Sequence, residues 1–158
     1  HSAGTILGVP LAVKVQSLLA HSGADGPELA FVSLANCLPL VSFLPDASML
    51  REDLEHLAGS PYIKWYDFSA RRDGACVSEG DLVTMAGVSR ELGAPVWPRR
   101  IPVSLVKMFS PDTYKAVKKD LFRVHFQYIM AAEQLTDYDY FAITAGPLKL
   151  TSRYPDIS

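Results

Sequence analysis

The chain has 158 residues, 49% of them hydrophobic and 20% charged, which is enough apolar material for one packed core and too little charge for a disordered tail. Its 15 basic and 17 acidic residues leave a formal net charge of −2, so no strong field attracts nucleic acid or an anionic membrane surface, and neither is expected as a partner. A single domain spanning residues 1–158 is the simplest organisation.

Cys37 and Cys76 lie far apart and form no C-x-x-C pair, which speaks against a zinc knuckle or a thioredoxin-type redox site and leaves a single disulfide open. Residues 29–45 are uncharged, but Ser33, Asn36, Pro39 and Ser42 interrupt them, and they fall short of the roughly 20 apolar residues a spanning helix requires. They read as a buried strand plus a loop, with no transmembrane segment. The first residue is not Met, and the basic region and apolar run of a secretory signal are absent, so a cytoplasmic chain whose natural start lies upstream of His1 is expected.

From Ile6 to Ala20 apolar residues recur at helical spacing, and His21-Ser22-Gly23 supplies a stop. Pro10 removes a hydrogen bond from that helix, which leaves a kink or a later start as the two readings. Residues 24–27 are turn material. Glu28 to Ala35 reads as a buried strand, Asn36 to Pro39 as a loop, and Asp46 to Ala58 as an amphipathic helix with Asp46 or Ser48 as its cap and Gly59 past its end. Tyr62 to Phe68 alternates as a strand does and runs into the turn Ser69 to Gly74.

Residues 78–100 are loop-like, broken by Gly80, Gly87, Gly93, Pro95 and Pro98, and Ile101 to Phe109 reads as a strand or an apolar loop. Ser110-Pro111-Asp112 opens a helix whose pattern runs toward Ala132, with a break near His125. Asp137 to Thr144 is either an extended edge or a short helix ending at Gly146-Pro147. Strands alternating with helices predict an α/β fold with a mainly parallel sheet flanked by helices.

His1-Ser2-Ala3-Gly4 leads directly into the first helical pattern and resembles the last four residues of the G-x-S-x-G nucleophile elbow. A sharp strand-to-helix turn would hold the Ser2 hydroxyl above the sheet. Small neighbours would avoid clashes, and the Ala3 N–H would face an oxyanion at the helix N-terminus. Two further candidates fall in the order that such sites use, an acid after a later strand and then a histidine. Asp73 follows the strand at 62–68, and His125 lies further on, at an interval that a loop between 78 and 100, read as part of a substrate lid, would lengthen. Asp81 is the alternative acid, and Asp67 is disfavoured because it would lie within the strand.

Competing roles stand beside these. A serine before a helix commonly caps it, Asp73-Gly74 is a good turn pair, and a histidine in so apolar a stretch as residues 124–128 also suits a core. His56 near Glu52 and Asp53 reads as a surface charge pair, and Asp137 with Asp139 as a solvent-edge turn, so no metal is expected.

The resemblance to the α/β-hydrolase superfamily covers residues 1 to about 130, nearest to bacterial members with esterase- or lipase-like elbows. It implies the C-terminal part of a larger, mostly parallel sheet lacking its N-terminal strands, with no metal and no organic cofactor. It also implies a serine hydrolase that cleaves a carboxylic ester or thioester through Ser2, His125 and Asp73. A second oxyanion donor would come from an upstream loop, and the isolated segment would be inactive. The alternative is a non-catalytic binding or scaffold module of the same architecture, since this fold hosts both. The apolar segments Leu38 to Pro45 and Trp97 to Phe109 are candidates to line an acyl pocket for the small-molecule substrate.

Overall fold

The computed structural model describes residues 1–22, 28–89 and 97–155. Three strands, β1 (Leu29–Leu34), β2 (Ile63–Ser69) and β3 (Arg99–Pro102), form one sheet in that order, and both pairs are parallel. Parallel neighbours cannot be joined by a tight turn, so the chain must return along a face of the sheet. Helices α2 (Leu38–Ser42) and α3 (Ser48–Ala58) lie in the first return and α4 (Leu82–Met85) in the second. With α1 (Gly4–Ser22) they build one apolar layer around Val9, Leu38, Leu54, Leu57, Trp65 and Val83. The segment after β3 carries α5 (Pro111–Val117), α6 (Leu121–Phe126), α7 (Tyr140–Ala145) and α8 (Leu150–Arg153), and forms a second layer around Tyr66, Phe68, Tyr128 and Tyr138. The protein is therefore mixed α/β, with a small all-parallel sheet flanked by helices.

The central strand explains the two layers. Ile63 and Trp65 point into the first, Tyr66 and Phe68 into the second, and every β2 residue except Lys64 is buried. A strand covered on both faces must bury its polar members too, so Asp67 and Ser69 point inward although the sequence alternates.

Several local expectations shift. Helix α1 starts two residues earlier than its periodicity suggested and runs unbroken through Pro10, which sits exposed on its outer side. A Cβ on Gly8 would lie 3.0 Å from the Phe31 ring, so the glycine lets α1 settle onto β1. Leu38 and Pro39 open α2 instead of continuing a loop, and Ala47, with no side-chain cap, precedes α3, so neither Asp46 nor Ser48 caps it. Arg51 does comparable work from inside α3: its Nη1 donates to the Ser42 and Leu44 carbonyls, at 2.6 and 3.1 Å, where the carbonyls at the end of α2 need donors.

The helix expected from Pro111 to Ala132 ends its α-helical course at Phe126, beside the expected break near His125, and is also interrupted at Lys118–Asp120, where the Asp120 carboxylate accepts from the Arg123 N–H at 2.9 Å and starts α6 afresh. Residues 137–144 resolve into α7, capped by Asp139, whose Oδ1 accepts from the Ala142 N–H. Strand β3 begins at Arg99, ahead of the expected 101–109 segment. Val103, Leu105, Met108 and Phe109 then enter the second core, so much of the second segment suggested for an acyl pocket is core, while Leu40, Phe43 and Leu44 of the first are exposed. The turn at 24–27, and Gly93 and Pro95, lie outside the described residues.

A buried polar cluster ties the C-terminal ends of the three strands together. The Asp67 carboxylate, fully buried, accepts from Ser33 Oγ at 2.6 Å, Asn36 Nδ2 at 2.7 Å and Arg100 Nε at 3.3 Å, while Trp65 Nε1 donates to Ser33 Oγ at 2.9 Å. Burial pushes the Asp67 carboxyl above its ordinary value, against the opposing pull of Ser33, Arg100 and Asn36. Arg100 also donates to the Gly80 and Val77 carbonyls, at 2.6 and 3.1 Å, and so pins the loop after β2. Removing one partner of such a pair leaves the other charge buried and uncompensated. Arg100→Met is expected to lower the free energy of unfolding by about 3 kcal/mol in a urea titration. Arg71→Met, which removes an exposed pair with Glu79, should leave the urea midpoint nearly unchanged.

Candidate active site

The turn into α1 holds Ser2 at φ 53°, a left-handed conformation that costs a non-glycine residue roughly 1–2 kcal/mol. Its N–H donates to the carbonyl of Leu34, the last residue of β1, at 2.9 Å, which hangs the turn on the end of the sheet. Behind Ser2 the turn closes through Gly4 N–H to the His1 carbonyl and Thr5 N–H to the Ser2 carbonyl, both at 3.0 Å, with Thr5 Oγ1 adding a 2.6 Å bond to the latter. The Ala3 N–H makes no hydrogen bond to any described residue, and Ala3 is exposed. It is thus an available donor at the positive end of a 19-residue helix. A Cβ on Gly4 would meet no described atom within 4 Å, so the crowding expected to demand a small residue there is absent among the described residues.

Asp73 sits in the loop after β2. Its N–H bonds to the Ala70 carbonyl at 3.0 Å and its Oδ1 accepts from the Ala75 N–H at 3.0 Å, so the backbone turn and the side chain fix each other. The residue is 2% exposed, and its second oxygen is left for His125.

His125 lies in the last turn of α6. Its Nδ1 is 2.8 Å from Asp73 Oδ2, and its Nε2 is 2.8 Å from Ser2 Oγ. A carboxylate only accepts, so the neutral ring carries its proton on Nδ1, leaving the Nε2 lone pair to accept from the serine O–H. That is the tautomer a general base needs. The structure brings Ser2, His125 and Asp73 into one hydrogen-bonded chain. The alternative acid Asp81 is not part of it: its carboxylate accepts from the Thr84 N–H at 2.7 Å and caps α4. Asp67 is committed to Ser33, Asn36 and Arg100.

Two supporting residues escape sequence reasoning. Tyr128, fully buried, accepts the Ala70 N–H on its hydroxyl at 2.8 Å and so links the histidine segment to the first residue of the acid loop. Tyr138 Oη in turn donates to the Tyr128 carbonyl at 2.5 Å. Burial drives the Tyr128 hydroxyl far above its ordinary value, so it stays protonated. His1 is the second: its Nε2 lies 2.8 Å from the His125 carbonyl. The available signals were Tyr128 lying three residues after His125 and His1 adjoining Ser2, but neither names a partner.

Both cysteines are free thiols. Cys76 lies 3.8 Å from Tyr128 Oη, and burial, reinforced by the Asp73 charge, pushes its thiol up to about 11. It is therefore protonated at neutral pH and a poor nucleophile. Among the described residues no three His, Cys, Asp or Glu side chains cluster to hold a metal ion, His56 lies exposed on α3, and no helix is long and apolar enough to cross a membrane.

Tyr128→Phe deletes the acceptor of the Ala70 N–H while keeping the ring. An unsatisfied buried donor costs about 1–3 kcal/mol, and a drop of that size in unfolding free energy is expected by urea titration. Faster amide hydrogen exchange across residues 70–76, with the β1 amides unaffected, would locate the loss in the acid loop.

No family model matches the chain, nor does any curated protein or solved structure, so its functional reading rests on its own residues and their geometry.

Proposed function

We propose that this chain carries the nucleophile, base and acid of a serine hydrolase for carboxylic esters or thioesters, with the α/β-hydrolase type of site as its pattern. The observation that carries the reading is the continuous chain from Ser2 Oγ through His125 to Asp73, two bonds of 2.8 Å joining residues on three separate segments. A serine that merely capped α1 would need no histidine on its hydroxyl, and a core histidine would need no buried carboxylate on its other nitrogen. A non-catalytic scaffold has no use for this alignment, and an unstrained Ser2 would serve it equally well.

In the proposed reaction Ser2 Oγ attacks the carbonyl carbon as its proton passes to His125 Nε2. Asp73, accepting from Nδ1–H, holds the ring and stabilises the imidazolium. The carbonyl oxygen becomes an oxyanion, to which the Ala3 N–H donates. Collapse of the tetrahedral intermediate breaks the bond to the alcohol or thiol, which leaves with the proton from Nε2. Water, deprotonated by the same nitrogen, then releases the acid and restores Ser2. Leu121 and Phe122 on α6, each 72% exposed, favour an apolar acyl group. Phe122 stacks on Phe126 at 4.4 Å, and Phe126 in turn lies edge-on to His125 at 5.7 Å.

The test is a fluorophosphonate probe on the full-length protein, with the labelled peptide identified by mass spectrometry. Label on Ser2 that disappears in Ser2→Ala is expected, and label that persists in that variant would reject the assignment. Asp73→Asn should keep the fold but lower kcat toward a 4-nitrophenyl ester by about 10⁴-fold, because the amide no longer holds the required tautomer. Asp81→Asn should leave kcat unchanged to within about twofold, since it disturbs a cap remote from the acid position.

A further inference from the structure

The His1 side chain extends, from the residue next to the nucleophile, across to the segment that carries the base. Its Nε2 is 2.8 Å from the main-chain carbonyl of His125, and a carbonyl only accepts, so this nitrogen carries a proton and donates it. The ring is half-buried and sits 4.8 Å from the His125 ring, 5.2 Å from Phe126 and 6.0 Å from Tyr128. The carbonyl it meets belongs to the last turn of α6, where the helix leaves its final carbonyls without intrahelical donors.

We propose that His1 is a positioning residue: its Nε2–H, held on the His125 carbonyl, sets the distance between the nucleophile turn and the catalytic imidazole. The proposal rests on the serine-hydrolase reading for its catalytic consequence, though not for the hydrogen bond itself.

The mechanics explain why such a strut matters. The Ser2 Oγ to His125 Nε2 bond is the one the reaction breaks, so it cannot also be what keeps base and nucleophile in register. Asp73 orients the ring through Nδ1 but belongs to the loop after β2, and neither it nor the Tyr128 bond to Ala70 ties the His125 main chain to the turn that carries Ser2. His1 closes that gap because its backbone is covalently joined to Ser2 and its side chain grips the backbone of His125. Two segments thus hold His125, the nucleophile turn through Ser2 and His1 and the loop after β2 through Asp73, and only the His1 and Asp73 contacts persist when Ser2 Oγ becomes bonded to an acyl carbon. A misplacement of about 1 Å in such a site costs on the order of 10²-fold in rate.

Three substitutions in the full-length protein separate the hydrogen bond from ring packing. His1→Phe keeps an aromatic ring against Phe126 and Tyr128 but has no donor. His1→Asn carries an amide too short to reach the carbonyl, and serves should the Phe variant fail to fold. His1→Gln places an amide N–H close to the position of Nε2.

The Phe and Asn variants are expected to lose roughly 10- to 100-fold in kcat toward a 4-nitrophenyl ester with KM unchanged to within about twofold, and His1→Gln to recover most of the loss. In parallel, the low-field proton resonance of His125 Nδ1–H should broaden or shift in the Phe and Asn variants and return in the Gln variant. Wild-type kcat and an unmoved resonance in either donorless variant would overturn the proposal. Equal impairment of the Gln and Phe variants would do the same, since packing rather than the donor would then be at issue. If Ser2 takes up no fluorophosphonate, the hydrolase reading falls by that result alone, while the resonance still decides whether His1 places the imidazole.

Discussion

Parallel pairing is the constraint from which the site follows. When β1, β2 and β3 all point the same way, their C-terminal ends share one edge of the sheet, and whatever follows each strand emerges there. Ala35 and Asn36 follow β1, the Asp73 loop follows β2, and the chain beyond β3 leads to the segment bearing His125. The turn that carries Ser2 joins the same edge through the Ser2 N–H on the Leu34 carbonyl. An antiparallel sheet would alternate these ends and scatter the three groups over opposite sides of the domain.

Two buried carboxylates stand near that edge with divided roles. Asp67 lies within β2 on the face shared with Trp65, and Ser33, Asn36 and Arg100 use its acceptor sites, so it is a structural anchor. Asp73 stands beyond the strand end, gives one oxygen to its own loop and offers the other to an imidazole. The anchor supports the second carboxylate: Arg100 reaches from Asp67 to the Val77 and Gly80 carbonyls, and the Val77 N–H donates to the Asn36 carbonyl at 3.0 Å, closing the loop that carries Asp73. Preorganisation here is assembled from ordinary backbone hydrogen bonds around one buried ion pair.

Strain collects in the same place. Ser2 and Ala35 are the non-glycine residues with positive φ among those described, at 53° and 48°, and they are joined through the Leu34 carbonyl next to Ala35. Ala35 is fully buried and its N–H donates to the Phe68 carbonyl at 2.9 Å, so the surrounding packing holds a conformation that a free alanine would leave. The two turns let β1 end abruptly and Ser2 face the incoming imidazole.

Local chemistry was legible in the residues themselves. Helical spacing revealed α1 and α3, Ser110-Pro111 marked the start of α5, alternation marked β2, and the order of Ser2, Asp73 and His125 was visible without coordinates. Each of these depends on periods of 3.6 or 2, on caps, or on chain order, all of which are properties of neighbouring residues. Tertiary structure alone decided which acid serves the imidazole. It also decided that Tyr128 and His1 brace the histidine segment. Those outcomes turn on hydrogen-bond partners far apart in the chain, 52 residues for Asp73 and His125 and 123 for His125 and Ser2, and no local period encodes them. The carboxylate that reaches the ring is the one that stands close behind the end of β2, while Asp81, later in the same loop, lies at the start of α4.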